Sequence, residues 1–158
     1  MCIKPNQSYI FHEPITAHQI LEKAAEILSD QYVSGDAFIN PQATKDYLAC
    51  KLGGHDREVF AVMMLDNQHH LIEFRELFYG TIDGASVYPR EVVKAVLEVN
   101  ASAVIFAHNH PSGNSEPSKA DKDITKRLSD ALGLIDVRVL DHIVVGETTT
   151  SFAERGLL

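Results

Sequence analysis

The apolar positions of the chain fall into continuous runs and periodic stripes, which predict strands and helices respectively. The run from Val59 to Leu65 is apolar on both alternating faces, which is typical of a central strand that is covered on both sides. A second apolar run, 102–107, leads directly into the residues His-Asn-His-Pro. We therefore predict two buried strands, and a last strand pair near 137–145.

Residues 71–79 follow a different pattern, because apolar and charged side chains alternate along them. Ile72, Phe74 and Phe78 share one parity, and Glu73 is on the other, as expected for a half-exposed strand. The turn-forming residues 66–70 connect this segment to the buried run before it. The two segments are therefore predicted to form a β-hairpin.

Helical periodicity and helix-terminal residues indicate four helices. The predicted starts are the capping box at Thr16 to Gln19, then Pro41, Pro89 and Ser118. The predicted ends are about residue 31, Gly53, about residue 99 and Gly133. This order of strands and helices predicts an α/β fold in which a mixed sheet packs against helices.

The segment 32–39, which contains Gly35 and Asp36, is the only plausible domain boundary. We expect residues 1–36 to form an N-terminal extension with one helix, and residues 37–158 to form the main domain. The helix of the extension either packs as an extra layer or mediates self-association into a homo-oligomer.

The net charge of the chain limits the classes of partner that it is expected to bind. With 14 basic and 22 acidic residues the net charge is -8, which opposes the phosphate neutralisation on which nucleic-acid binding depends. A basic cluster is interleaved with acidic residues and is interpreted as a solvated helix face; it consists of Lys119, Lys122, Lys126 and Arg127. Nucleic acid is therefore not an expected partner.

The sequence has no feature of a membrane or secreted protein. No stretch approaches the roughly 18 apolar residues that a membrane span needs. The first twelve residues lack the basic opening and apolar region of a secretory signal. A cytoplasmic protein without a membrane partner is expected.

The chemistry of the chain is concentrated after the second buried run. His108 and His110 are two residues apart on an extended segment, so both imidazoles point to the same face and can bind one metal ion. Asp121, in the first turn of the fourth helix, can fold back as a third ligand, which leaves the fourth position of a catalytic zinc ion for water. Ser118 and Asp121 also have capping-box spacing, and capping alone could account for both.

The joint pattern resembles a known family. His108-Asn-His110-Pro, followed by six residues, Ser118, two residues and Asp121, resembles the JAMM motif of the MPN metalloproteases. The string from His108 to Ser118 is similar to that of the bacterial RadC-like branch. The likeness extends over about residues 41–158 through Phe78-Tyr-Gly-Thr, Pro89-Arg-Glu-Val, Asp141-His-Ile-Val-Val-Gly and Ser151-Phe-Ala-Glu-Arg-Gly-Leu.

This resemblance implies a fold, a cofactor and roles for individual residues. The fold would be the MPN type, a curved mixed β-sheet with helices on both sides and an extra N-terminal helix. His108, His110 and Asp121 would hold one zinc ion, whose water attacks an amide carbonyl of a peptide or protein substrate. Glu58 would be the general base, with Glu76 and Glu91 as rivals, and Ser118 would stabilise the oxyanion. His142 would have a structural role or support the ligands.

Three other functions compete with a zinc metallopeptidase or isopeptidase. A DNA-repair-associated metal-dependent nuclease, or an accessory protein of repair, is suggested by the letters His-Asn-His, but nucleases of that name spread these residues over a ββα unit. A zinc deaminase requires His-x-Glu and Pro-Cys-x-x-Cys, which this sequence lacks. An inactive MPN-type binding module would keep the fold without turnover.

Overall fold

A computed structural model of the chain describes residues 8–33, 41–80 and 86–158. Within these ranges the helices are α1 (Ala17–Val33), α2 (Pro41–Leu52), α3 (Pro89–Glu98) and α4 (Lys119–Gly133). The strands are β1 (Val59–Leu65), β2 (Leu71–Tyr79), β3 (Ala103–Asn109), β4 (Arg138–Val145) and β5 (Thr149–Ser151). The predicted helices and the predicted hairpin are confirmed.

The five strands form one mixed, open sheet in the order β2-β1-β3-β4-β5. β1 pairs antiparallel with both β2 and β3, β3 is parallel to β4, and β4 is antiparallel to β5. A parallel pair needs a crossover connection, which α4 supplies between β3 and β4. The end of β3 and the start of α4 consequently belong to the same edge of the sheet, where His-Asn-His-Pro lies.

Helices cover both faces of the sheet, and β1 contributes alternate residues to the two resulting cores. Val59, Ala61 and Met63 belong to the first core, which packs against α1 and α2. Phe60 and Val62 belong to the second core, which packs against α3 and α4. Every residue of β1 is buried, so the predicted central strand is confirmed.

β2 departs from the simple alternation that the sequence predicts. Phe60 pairs with Phe78 and Ala61 with Glu76, so Leu77 is an extra residue without a partner on β1. This bulge reverses the parity of the strand. Phe74 therefore packs in the first core, whereas Phe78 packs in the second, although one face was predicted for both.

The C-terminal strands also differ from the prediction. Residues 138–145 form the single strand β4, and its antiparallel partner is β5, at 149–151. The last strand pair is therefore present, but its second strand lies beyond the predicted residues 137–145. The turn falls later, where the Gly146 N–H donates to the Thr148 carbonyl (2.8 Å).

The N-terminal helix α1 forms a further layer on α2. Ala25 is fully buried and Leu28 packs against the first core. The boundary predicted between residues 36 and 37 lies outside the described residues. In the described part of the chain, no helix combines the length and apolar character that crossing a membrane requires.

Candidate metal centre and active site

The end of β3 brings two imidazoles to one point. The His108 side chain is almost fully buried, and its ring stacks on that of Phe60 with 6.4 Å between centroids. His110 follows directly after the strand, where its backbone N–H donates to the Val145 carbonyl of β4 (2.8 Å). The two Nε2 atoms are 3.0 Å apart, so the imidazoles converge as strand alternation predicts.

The loop after His110 is fixed by the turn between β4 and β5. The Glu147 N–H donates to the Gly113 carbonyl (2.8 Å). A Cβ on Gly146 would overlap that same carbonyl, so only glycine allows this close approach. The loop in turn orients His110, whose Nδ1 donates to the Asn114 carbonyl (2.6 Å).

Asp121 reaches the two histidines from the first turn of α4. Its Oδ1 is 3.3 Å from Nε2 of His108, and its Oδ2 is 3.7 Å from Nε2 of His110. Oδ2 also accepts the Ser118 backbone N–H (2.6 Å), and the Ser118 hydroxyl accepts the Asp121 N–H (3.1 Å). Capping and ligation, which the sequence left as alternatives, are therefore compatible in one geometry.

The Asp121 carboxyl is ionised in this setting. Burial opposes ionisation, but the hydrogen bond and positive charge of His108 in its protonated form, with hydrogen bonds from Ser118, outweigh burial and hold the pKa of Asp121 well below its usual range. A negative charge therefore faces the two imidazoles.

A buried chain of hydrogen bonds determines which nitrogen of neutral His108 carries the proton. The Thr125 hydroxyl donates to the Asp121 backbone carbonyl (2.5 Å), so its oxygen accepts from Nδ1 of His142 (2.6 Å). Complete burial lowers the pKa of His142 well below its usual range, so this ring is neutral and its Nε2 has no proton. That Nε2 accepts from Nδ1 of His108 (2.8 Å). The hydrogen-bond network thus leaves Nε2 of His108 unprotonated and facing Asp121.

The three residues fit a divalent metal ion. The neutral form of His110 has the same tautomer as that of His108, because its Nδ1 also donates its proton elsewhere. Two unprotonated imidazole nitrogens and a carboxylate oxygen therefore lie within 4.8 Å of one another. A cation stabilises such a set of acceptors, and second hydrogen bonds of this kind usually orient metal-ligating histidines. His142, for which the resemblance implied a supporting role, provides one of them.

The candidate ligands lie in a cleft of about 580 Å3 that Glu58 and Ser118 also line. Glu58 directly precedes β1, and its backbone carbonyl accepts the Gly80 N–H (2.7 Å). The half-buried Glu58 side chain therefore borders the same cavity as His108, His110 and Asp121, although it is about 50 residues away in sequence.

The two rival glutamates are outside the lining that the structure describes for this cleft. Glu76 contacts Nε2 of His55 (3.0 Å) and accepts the Tyr79 hydroxyl proton (2.9 Å). Glu91 accepts from the Lys94 ammonium on the exposed face of α3 (3.0 Å). Of the three glutamates that the sequence offered as a general base, Glu58 is the one in the described lining of the cleft.

Asn109 is a residue that the sequence reasoning missed. Its buried side chain accepts the Val59 N–H (2.8 Å) and donates to the Arg57 carbonyl (2.9 Å). These bonds hold the backbone on both sides of Glu58. The signal in the sequence was a polar residue between two ligand candidates at the end of a buried strand, where an unpaired amide would be costly.

Arg127 also has a location that the sequence did not indicate. Its side chain lines the cleft together with Asp121 and Ile124. Lys126, its neighbour in the predicted solvated face, instead pairs with Asp130 on the surface of α4 (3.1 Å). Arg127 is exposed, as a solvated face implies, but it also borders the cleft, which the sequence did not predict.

The sheet, its helices and the His-His-Asp cluster define the class of the protein as an α/β domain of the JAB/MPN type. Residues 38–157 match the family described as the RadC-like JAB domain. The chain belongs to this family.

Individual relatives agree with this assignment. A UPF0758 protein of Vibrio cholerae serotype O1 is 72% identical over 141 residues, which are 89% of this chain and 90% of the relative. A second UPF0758 protein of the same organism is 60% identical over 154 residues, or 98% of each chain. A longer one, from Aeromonas hydrophila, is 57% identical over 140 residues, which are 88% of this chain but 62% of the relative. These names state no activity.

Proposed function

We propose that the protein is a zinc-dependent amide hydrolase of the metallopeptidase or isopeptidase type. The observation that carries this proposal is the shared cleft, in which a His-His-Asp acceptor set, a glutamate and a serine hydroxyl border one cavity. A bare metal site would not need the last two groups. Amide hydrolysis needs both a proton carrier and a donor for the developing oxyanion.

Zinc is the proposed metal because catalytic zinc commonly has three protein ligands drawn from histidine and carboxylate. His108, His110 and Asp121 would hold it. A bound zinc ion would lower the pKa of a coordinated water to about 7 and polarise the scissile carbonyl.

Glu58 is proposed to take the proton of the attacking water and to deliver it to the leaving amine. A carboxylate at the wall of a metal cleft is suited to this transfer, since it can accept and then return one proton. Positioned general acid-base groups contribute about 10²-fold to 10⁴-fold to rate. Loss of the Glu58 carboxylate should lower kcat by a factor in this range while the metal ligands stay intact.

Ser118 is proposed to donate a hydrogen bond to the oxyanion that develops from the scissile carbonyl. Its oxygen already accepts the Asp121 N–H (3.1 Å), so the hydroxyl proton remains available to a group in the cleft. One donor of this kind is worth about 10²-fold to 10³-fold in kcat where it is fully used. The cap thus also holds the hydroxyl in place.

The proposed substrate is a peptide or protein that contains an amide or isopeptide bond. Nucleic acid remains disfavoured, because a net charge of -8 repels the phosphate backbone.

The test uses the full chain, freed of metal by a chelator and reloaded with zinc. Peptide and isopeptide libraries are incubated with the wild type and with Glu58→Gln, and the products are identified by mass spectrometry. We expect zinc-dependent cleavage by the wild type, and equal zinc content but at least about 100-fold slower cleavage by Glu58→Gln.

Glu91→Gln is the matched control, because it removes the same charge from an exposed glutamate outside the cleft. It should cleave like the wild type. The proposal is overturned if the zinc-loaded wild type cleaves nothing that Glu58→Gln leaves intact.

A further inference from the structure

The cleft extends beyond the candidate ligands along one face of α4. Ala120, Ile124 and Arg127 line it at the i, i+4 and i+7 spacing of a single helix face. Val87 and Tyr88, which precede α3, also line the cleft. At about 580 Å3 the cavity has the size of a ligand-binding site, and its lining includes apolar side chains and the cationic group of Arg127.

The guanidinium of Arg127 has no ion-pair partner among the residues that the structure describes. Most of the other described lysine and arginine side chains have an ion-pair partner. For example, Lys45 pairs with Glu154, Lys51 with Glu22, Arg75 with Glu73, and Arg155 with Glu116. Acidic residues outnumber basic ones by 22 to 14, so carboxylates are abundant in this chain. Arg127 nevertheless lines the cleft and forms no ion pair with a carboxylate of the described residues.

A guanidinium in such a position suits a carboxylate of the substrate. Its planar N–H groups match the two oxygens of a carboxylate, and the paired hydrogen bonds are stronger than neutral ones. Val87, Tyr88 and Ile124 are among the apolar side chains that line the cleft, and they favour an uncharged residue between the reacting amide and the carboxylate.

Helix α4 sets the distance between the metal ligand Asp121 and Arg127. Arg127 follows Asp121 by six residues on α4, which corresponds to about 9 Å along the helix axis. An extended peptide advances about 3.3 Å per residue. The distance between Asp121 and Arg127 along the helix therefore corresponds to two to three residues of an extended substrate.

We propose that Arg127 binds a substrate carboxylate two to three residues from the scissile amide, separated from it by an apolar residue. The substrate class is thus an acidic peptide segment or a peptide with a free C-terminus at that distance. This inference rests on the proposed hydrolase function and adds a class of substrate to it.

The experiment measures binding as well as cleavage, so that each can fail separately. Zinc-loaded Glu58→Gln is titrated into fluorescent peptides, and binding is followed by anisotropy. The peptides carry Glu, Gln or Lys at the second and third positions on either side of an apolar-flanked amide. A matched pair ends in a free carboxylate or a carboxamide at the same distance, which distinguishes a side-chain acid from a C-terminus.

We expect one carboxylate-bearing register to bind roughly tenfold more tightly than its uncharged counterpart. Arg127→Gln should abolish this preference, and Arg127→Glu should reverse it in favour of Lys. Lys126→Gln is the control, because it removes the same charge from the neighbouring position outside the cleft, and it should keep the preference. Thermal melts of the variants check that they are folded.

Equal binding of the Glu, Gln and Lys peptides would overturn the inference, as would an equal effect of Arg127→Gln and Lys126→Gln. Cleavage by the wild type without a preference for carboxylates would also overturn it, while the hydrolase proposal would stand. A carboxylate preference in binding without any cleavage would support the role of Arg127 and count against the hydrolase.

Discussion

The two sides of the cleft are positioned by different means. On the ligand side, hydrogen bonds reach the ligand side chains themselves: His142 and Thr125 orient His108, and the Ser118 backbone N–H orients the Asp121 carboxylate. On the opposite side, Asn109 holds the main chain before and after Glu58. Metal binding and proton transfer should therefore be separable by mutation, although both depend on the same end of β3.

The largest effect is expected from Asp121, and two variants separate its roles. Asp121→Ala removes the anionic ligand and the acceptor for the Ser118 N–H, so zinc binding and cleavage should be lost. The lost cap should also lower the free energy of unfolding of the metal-free protein by about 1 kcal/mol. Asp121→Asn keeps an acceptor oxygen and should retain most of that stability without the charge. Zinc analysis and urea unfolding measure the two effects; full zinc occupancy in Asp121→Ala would refute the ligand role.

Asn109→Ala should affect the other side of the cleft. The backbone around Glu58 loses its clamp, and a displacement of about 1 Å can cost roughly 100-fold in rate. We expect cleavage to fall by about this factor while zinc content stays at one ion per chain. Because the buried Val59 N–H and the partly buried Arg57 carbonyl lose their partner, urea unfolding should also show a loss of about 1–3 kcal/mol in the free energy of unfolding. Loss of zinc together with activity in a folded variant would show that the two sides are not separable.

Thr125→Val should give the opposite pattern, with weaker metal binding as the primary effect. Valine has nearly the shape of threonine, but it cannot accept the proton of His142, so the tautomer of His108 is no longer fixed. Loss of such supporting hydrogen bonds typically costs about 10-fold to 100-fold in metal affinity. Competition with a chelator measures the affinity, and imidazole nitrogen chemical shifts report the tautomer. Thr125→Ser, which keeps the hydroxyl, should behave like the wild type; unchanged affinity in Thr125→Val would contradict the role of the hydrogen-bond chain.

The smallest effect is expected from Glu76→Gln. Glu76 contacts His55 and Tyr79 outside the described lining of the cleft, so its loss should leave kcat within about twofold and zinc content unchanged. Partly exposed pairs of this kind contribute at most about 1 kcal/mol to stability. A fall in kcat similar to that of Glu58→Gln would transfer the proposed general-base role to Glu76.

Periodicity was sufficient to predict most of the architecture. The doubly apolar run 59–65 could only be buried on both faces, and the capping residues at Thr16 and Ser118 marked helix starts that the structure contains. The failures have local causes. The Leu77 bulge changes the facing of Phe78 without changing the sequence pattern, and the last turn depends on contacts between Gly146 and the distant Gly113.

The candidate site was predictable to the extent that its residues share a short motif. His108, His110, Ser118 and Asp121 lie within fourteen positions of one another, so strand and helix geometry relate them directly. The hydrogen bond between Val59 and Asn109 joins residues that are 50 positions apart. Whether Arg127 forms an ion pair with a described residue depends on where each acidic side chain lies in the folded protein. Such relations require the three-dimensional structure.

The most direct test of the metal centre is anomalous diffraction at the zinc edge from crystals of the purified, zinc-loaded protein. We predict one strong peak per chain, bounded by Nε2 of His108, Nε2 of His110 and a carboxylate oxygen of Asp121. Such a peak would place the metal in the same cleft as Glu58 and Ser118. A peak at any other group of side chains, with none between these three residues, would contradict the account.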